Sequence, residues 1–521
     1  PLAFEAAVEK EAEGISEVIS EAEIKKRRDM REVTTFTIDP SDAKDFDDAL
    51  SVQRLDNGNY EIGIHIADVT HYVTPGSLLE EEAQRRTTSV YLVDRVSPML
   101  PERLSNFLCS LRPHEDKLTF SAVFELDENA NIKKEWYGRT IIHSDKRFSY
   151  EEAQAIIESG KGEFSDEILL LNRLAHMLRE RRFANGAIAF ESAEVKFRLD
   201  DKGVPLEVIP KVRKEAHKLI EDFMLLANRK VAEYVYHYKG GKNNNLMVYR
   251  VHETPDMEKL KILSFYASRF GYQIRTGEQQ LAASLNKMAI DLEGKPEADV
   301  LQNLAIRSMA KARYTTQALG HYSLAFDHYT HFTSPIRRYP DMMVHRLLQS
   351  YLDNAPPKDK DDYERLCKVS SELEKRASDA ERASIRFKQI EFMGLQDADR
   401  TYNGIISGVA EWGLFVEIIE NKCEGLVRVT DITDDYYEFD AENLCLRGQR
   451  RGSVYFFGDK IKVKVKKIDT EKRTIDLQIV GMIEAQRPLP SFGRGAHSRG
   501  GGGKKQGNKG GKKQGQRNRR R

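Results

Sequence analysis

Apolar and polar positions alternate with a period of two through VTTFTI (residues 33–38). They do so again through ALSV and, past the turn signal Asp56-Asn57-Gly58, through YEIGIHIADV. That period predicts half-buried strands. Residues 120–142 repeat it as a hairpin, and 89–113 mix a short strand carrying Tyr91 with Pro98, Pro101 and a helical turn. The pattern then lengthens to the helical period. The run Ser149-Tyr150-Glu151-Glu152 reads as a helix start, and Ser165 as the cap of a helix with Ile168, Leu171, Leu174 and Leu178 inside. Residues 186–200 return to strand, presenting Phe190 and Glu191. Residues 212–236 predict an amphipathic helix with Ala216, Leu219, Phe223 and Ala227 apolar and Glu221 and Asp222 on a solvated face.

A cluster of Gly and Asn at 240–245 breaks the chain. Helical patterning then covers 256–318, a further helix starts near Pro340, and a charged helix runs through 360–395. From 401 to 480 the texture changes to short alternating runs with Gly404, Gly408 and Gly413 at bends, which predicts a small OB-type barrel. The predicted class is α+β. A helical arm (1–30) leads to a mixed α/β domain (31–395), then an all-β OB-fold barrel (398–482) and a disordered basic tail (483–521).

Charge changes this picture at the end of the chain. The 82 Lys and Arg balance the 82 Asp and Glu, but twelve of the basic residues and none of the acids lie between 487 and 521. An acidic body with a Gly-, Lys- and Gln-rich tail that cannot bury a core suggests a polyanion partner held by local patches. The four cysteines are scattered without a CxxC pair, as suits a reducing cytosol, and no apolar run approaches the roughly 18 to 20 residues of a membrane span. The chain opens on Pro1, so it reads as a fragment.

The candidate chemistry lies in IDPSDAKDFDDAL, residues 38–50, where Asp39, Asp42, Asp45, Asp47 and Asp48 fall within ten positions. Carboxylates so close raise one another's pKa values and call for a cation. A set of Asp without His or Cys favours magnesium and phosphate chemistry over zinc. A solvated acidic loop or a calcium turn is the alternative, although the glycine and closing Glu of an EF-hand are missing. His65, Asp68 and His71 read as structural rather than as ligands, because a strand splits them between faces. A second focus is HYTHFTSPIRRYPD, where Arg337 and Arg338 stand beside Thr333, Ser334 and Tyr339, a set suited to phosphate. In the barrel segment Trp412 and Phe415 form an exposed aromatic pair beside Arg428, Lys464, Lys466 and Arg473. Such a set suits stacking on single-stranded bases, with plain core aromatics as the alternative.

The motifs IDPSDAKDFDDA, IHIADVTHYV, VYRVHE and HFTSPIRRYPD, in that order between about 31 and 395, resemble the RNB catalytic domain of the ribonuclease II and ribonuclease R family. The bacterial ribonuclease R branch is the most similar, and the following segment is similar to that family's S-one type OB domain. The resemblance implies a processive 3′ to 5′ exoribonuclease that releases nucleoside 5′-monophosphates. It implies Asp39, Asp45, Asp47 and Asp48 as catalytic and metal-holding residues for Mg2+, with Mn2+ the alternative, and Arg337 at the scissile phosphate with Arg338 the second choice. It further implies RNA contacts at Tyr91 and Phe190, which bracket the base stack, and at Tyr150 and Glu221, which read the ribose 2′-OH. The implied partners are single-stranded RNA 3′ ends, structured RNA and ribosome-associated factors, met by a cytoplasmic monomer. The family's leading cold-shock domains are not seen before Pro1, which would alter RNA funnelling. Trp412 and Arg428 stand where such OB domains often carry Phe or Tyr and His. A binding protein without cleavage, and a metal-dependent deoxyribonuclease or polymerase-like enzyme, are the rival readings.

Overall fold

The computed structural model describes residues 3–483 apart from 191–193, 242–244, 296, 356–358 and 442, and apart from the side chains at 278 and 279. The basic tail and Glu191 lie outside the described residues. At the centre is a seven-stranded sheet. Its order is Arg28–Asp29, Ile132–His143, Asp116–Leu126, Tyr60–Ala67, Asp48–Arg54, Thr35–Asp39 and Lys146–Ser149. The pairings are antiparallel except at the two edges, where Arg28–Asp29 and Lys146–Ser149 run parallel to their neighbours. Strands Tyr60–Ala67 and Asp116–Leu126 are almost wholly buried, which explains apolar runs that exceed simple alternation.

One irregularity in this sheet opens the site. Thr35–Asp39 and Asp48–Arg54 pair only at Thr35 with Ser51 and Phe36 with Leu50. Thr37 through Asp39 instead continue the ladder on the other side, where Asp39 pairs with Ser149. The two strands therefore part where the acidic segment begins. Helix Tyr150–Ser159 starts at that edge with a full capping box between Ser149 and Glu152.

Helices Ser165–Ala184, Glu215–His237 and Tyr339–Leu352 contribute to the main core with Leu171, Leu174, Leu219, Phe223, Met343 and Leu347. Ser165 is the first helical residue rather than the cap; Phe164 holds the cap position in the left-handed region. Asp222 is not on a solvated face either. It is buried between Arg179 and Arg182, at 2.8 and 3.1 Å. The arm before the sheet forms helices Ala6–Glu13 and Glu21–Ile24, and Val8 and Ala12 join the same core.

Residues 256–318 form three helices, Met257–Arg269, Glu278–Asp291 and Ala298–Ser308, with a core of their own. The helical pattern stops at Ser308. Arg313–Thr315 pairs as a strand with Tyr249–Val251, held there because Tyr314 N–H donates to Ser371 Oγ and Glu364 gathers Thr315 and Thr316. The 35-residue helix Lys360–Gly394 then leads to a closed five-stranded barrel, ordered Thr401–Ala410, Gly413–Ile418, Glu424–Arg428, Thr474–Met482 and Lys460–Asp469. Ile405 and Phe457 of this segment pack into the three-helix core, and Phe457 lies 4.4 Å from Tyr266 between ring centres.

Candidate active site

The parted strands place the aspartates. Asp39 ends one strand and Asp48 opens the next, so these two are carried by the sheet rather than by the loop between. Both feet of the loop are fixed. Arg147 donates to the Pro40 carbonyl at 2.5 Å and lies 5.4 Å over the Phe46 ring. Phe46 N–H donates to Ser110 Oγ at 3.0 Å, and Leu111 N–H donates to the Phe46 carbonyl. Asp42 is exposed and takes no part.

Asp47 is the most tightly held of the group. Ile336 N–H donates to its Oδ1 at 2.9 Å, and Arg337 Nε stands 3.4 Å from its Oδ2. This joins the two sequence foci across 289 residues of chain. Burial nevertheless pushes the Asp47 carboxyl up to about 8, against the pull of Arg337 and the Ile336 N–H. Asp39 and Asp48 are each pushed up to about 7, by burial first; Asp48 is also raised by Asp39, while Arg147 pulls Asp39 down. Asp39 Oδ2 is buried with no hydrogen-bond partner. Asp45 accepts from the Tyr91 hydroxyl at 3.3 Å. The Tyr91 N–H in turn donates to Glu381 on the long helix at 2.9 Å.

A divalent cation fits this chemistry, because buried oxygen ligands that resist ionisation and one orphaned carboxylate oxygen all favour a hard positive charge. Among the described residues no three His, Cys, Asp or Glu side chains make a group that could hold a metal ion. The two oxygens of Asp47 face the Ile336 N–H and the Arg337 guanidinium.

Tyr150 stacks on His217 with 4.0 Å between ring centres, and its hydroxyl is held neutral by burial and by the nearby Asp48 and Asp39. Glu221 pairs with Arg213. Phe190 packs against the three-helix core. Arg337 has a side chain 44% exposed, so it can face a substrate. Arg338 is less open: its side chain is 19% exposed and donates to Asp341 at 2.7 Å, which makes it the weaker phosphate-binding candidate. His65 lies between the Ser51 and Ser121 hydroxyls at 2.8 and 2.7 Å, and burial lowers its pKa to about 3. Asp68 pairs with Arg27 at 2.8 Å and with Arg139, so this motif is structural.

In the barrel, Trp412 is 60% exposed and Phe415 is half-buried, so only the former is an open stacking platform. Gly413, paired with Arg428, follows Trp412 at φ +153°; a Cβ there would lie 2.2 Å from the Val427 carbonyl oxygen. Arg428 sits beside Trp412 and pairs with Asp476 at 3.2 Å. Arg147, His217 and Glu381 escaped the sequence reading, because each stands alone among ordinary helix or strand residues; Asp341 closes the motif HFTSPIRRYPD, yet nothing in the sequence gave it a role.

Two family models match the chain: the RNB domain over residues 27–354 and the S1 RNA binding domain over 396–480. Ribonuclease R 1 of Lactococcus lactis is 40% identical over 484 residues, 90% of this chain and 58% of that protein. Ribonuclease R of Aquifex aeolicus is 38% identical over 502 residues, 94% of this chain and 70% of that protein. The chain thus spans between about six- and seven-tenths of the length of these relatives. Among solved structures, Mycoplasma genitalium RNase R in complex with ribose-methylated single-stranded RNA matches with a TM-score of 0.85. Identity is 28%, covering 92% of this chain and 76% of that one. With one model covering more than half its length and relatives this similar, the chain belongs to the RNB family, and within it to the ribonuclease R group.

Proposed function

We propose that this protein is a 3′ to 5′ exoribonuclease that hydrolyses RNA processively, with little regard for sequence, to nucleoside 5′-monophosphates. The observation that carries the reading is the meeting of three ionisation-resistant carboxylates, Asp39 and Asp47 buried and Asp48 half-buried, with Arg337, through the bond from the Ile336 N–H to Asp47. Family membership and a structural neighbour with bound single-stranded RNA supply the substrate class.

In this reading Asp39, Asp45, Asp47 and Asp48 hold magnesium, or manganese in its place. A bound divalent ion would supply an activated water and charge neutralisation at the phosphate. The chain's own groups do the rest. Arg337 adds positive charge at the scissile phosphate, Asp47 and Arg337 hold one another in register, and the buried strand end carrying Asp39 excludes bulk water. Tyr91 stacks on the terminal base, while Tyr150, backed by His217, faces the ribose 2′-OH, the group that separates RNA from DNA. Trp412 grips incoming single strand in the barrel. Phe190, packed on the three-helix core, and Glu221, paired with Arg213, are the further RNA contacts of this reading.

The test is a time course on 5′-labelled single-stranded RNA and its DNA counterpart, with magnesium and with EDTA, alongside Asp47→Asn. RNA alone should collapse to very short labelled ends, and EDTA should stop it. Asp47→Asn should lower kcat by on the order of 10³-fold, about 4 kcal/mol of transition-state stabilisation, with RNA affinity nearly unchanged. RNA that is bound but stays intact with magnesium would point to a binding protein instead.

A further inference from the structure

The turn 334–338 delivers two groups to the site, the Ile336 N–H and the Arg337 guanidinium, and something must hold it in that shape. Outside, the segment after residue 86 clamps its backbone. Ser89 N–H donates to the Arg337 carbonyl at 3.0 Å, and Tyr339 N–H donates to the Thr87 carbonyl at 2.8 Å. Inside, a single carboxylate holds it. Asp341 Oδ1 accepts from the Ser334 N–H at 2.7 Å and from the Arg338 guanidinium at 2.7 Å, and Asp341 is wholly buried.

We infer that the Asp341 and Arg338 pair is the positioning device of the active site. By tying the first and last residues of the turn to one oxygen, it sets where Ile336 meets Asp47 and where Arg337 points.

The geometry supports this over a merely structural ion pair. Arg338 N–H closes the turn on the Ser334 carbonyl at 3.0 Å, and Arg337 reaches back to Ser334 Oγ at 3.0 Å. Ser334 is therefore the hinge both of Arg337 and of the Asp341 bond. Only Pro335 and Ile336 separate Ser334 from Arg337, so a small shift at Ser334 carries directly to the guanidinium. Near-attack geometry is intolerant of such shifts, and displacement by about 1 Å can lower a rate roughly 10²-fold. Arg338 is also set among Tyr314, Tyr329 and His331, whose imidazole is kept neutral by burial beside it. A guanidinium only 19% exposed in such company needs a counter-charge, which Asp341 provides.

The inference rests on the proposed activity, and its test keeps the two apart. Asp341→Asn keeps an oxygen for the Ser334 N–H but removes the charge that holds Arg338. Its kcat on single-stranded RNA should fall roughly 10²-fold, with KM and RNA affinity within about 2-fold of the parent. In an Arg337→Ala background the same change should lower kcat by far less, because the group being positioned is gone. If Asp341→Asn does not fold, Arg338→Lys is the second variant. It preserves charge without the planar fork, and a smaller loss of the same kind is expected. A folded Asp341→Asn with parental kcat overturns the inference. So does a loss that adds in full to that of Arg337→Ala, or one that falls on KM. Parent protein that leaves RNA intact would instead remove the proposed function.

Discussion

Asp39 ends its strand with one carboxylate oxygen buried and without a donor, and that single atom says much about the conditions under which the site is stable. Asp39, Asp47 and Asp48 have folded-state pKa values raised to about 7, 8 and 7 from an ordinary value of 3.8. The folded protein thus holds protons that the unfolded chain has already released. Their contribution to stability is present below about pH 4 and is lost as pH rises through 7 to 8. In EDTA the melting temperature should therefore fall between pH 6 and pH 9, each pKa unit being about 1.4 kcal/mol. Magnesium should restore it at pH 9 and add little at pH 6, since protons compete for the same oxygens. A scan of melting temperature against pH, with and without magnesium, checks this; equal stabilisation at both values would mean that the ion binds elsewhere. The acidic loop was legible in the sequence because five carboxylates in ten positions need few structural assumptions. Arg338 was not, because its neighbour Arg337 has the same charge and shape. Only the burial of Asp341, on the next turn of chain, separates a guanidinium facing the cleft from one facing the core.

Elements were legible where local signals were dense. The helix start at Ser149, the turn at Asp56-Asn57-Gly58 and the glycine-punctuated barrel strands all formed as expected. They were misread where a distant partner decided the outcome. Asp222 takes a solvated position by helical period, yet Arg179 and Arg182 on the preceding helix draw it inside. Residues 313–315 look helical until Tyr249–Val251 pairs with them. The same contrast separates the barrel aromatics. Phe415 lies within strand Gly413–Ile418, whereas Trp412 occupies the turn before it, raised into solvent by a backbone that only Gly413 can follow. An exposed Trp on a rigid turn suits stacking on a base. Trp412→Ala should weaken single-stranded RNA binding by about 1–3 kcal/mol while leaving single-turnover cleavage of a saturating short RNA unchanged. Filter binding and a single-turnover assay measure the two separately. Unaltered affinity would place the RNA path on another face of the barrel.

For the molecule as a whole, the sheet, the three-helix core and the barrel form one continuous packing system. Ile405 and Phe457 of the barrel segment sit in the three-helix core, and the long helix contributes Ile390 and Met393 to the core of the barrel. That body carries 70 basic against 82 acidic residues through position 486, and the proposed site itself is dense in carboxylates. RNA approaching it meets a net negative field, so attraction must come from local positive groups. Residues 487–521 hold twelve of them without a single acid, and each phosphate they neutralise releases counterions. Deleting 487–521 should weaken RNA binding most at low salt. It should also lower the slope of log affinity against log salt by roughly 0.7 for every phosphate the tail had neutralised. The catalytic step should be untouched, because Asp47, Arg337 and the turn between them are built entirely within the body. Affinity measured across a salt series for the full and shortened chains decides the matter. A preserved slope would mean that the body's own patches, Trp412 with Arg428 and the exposed lysines of the barrel, already hold the RNA against the negative field.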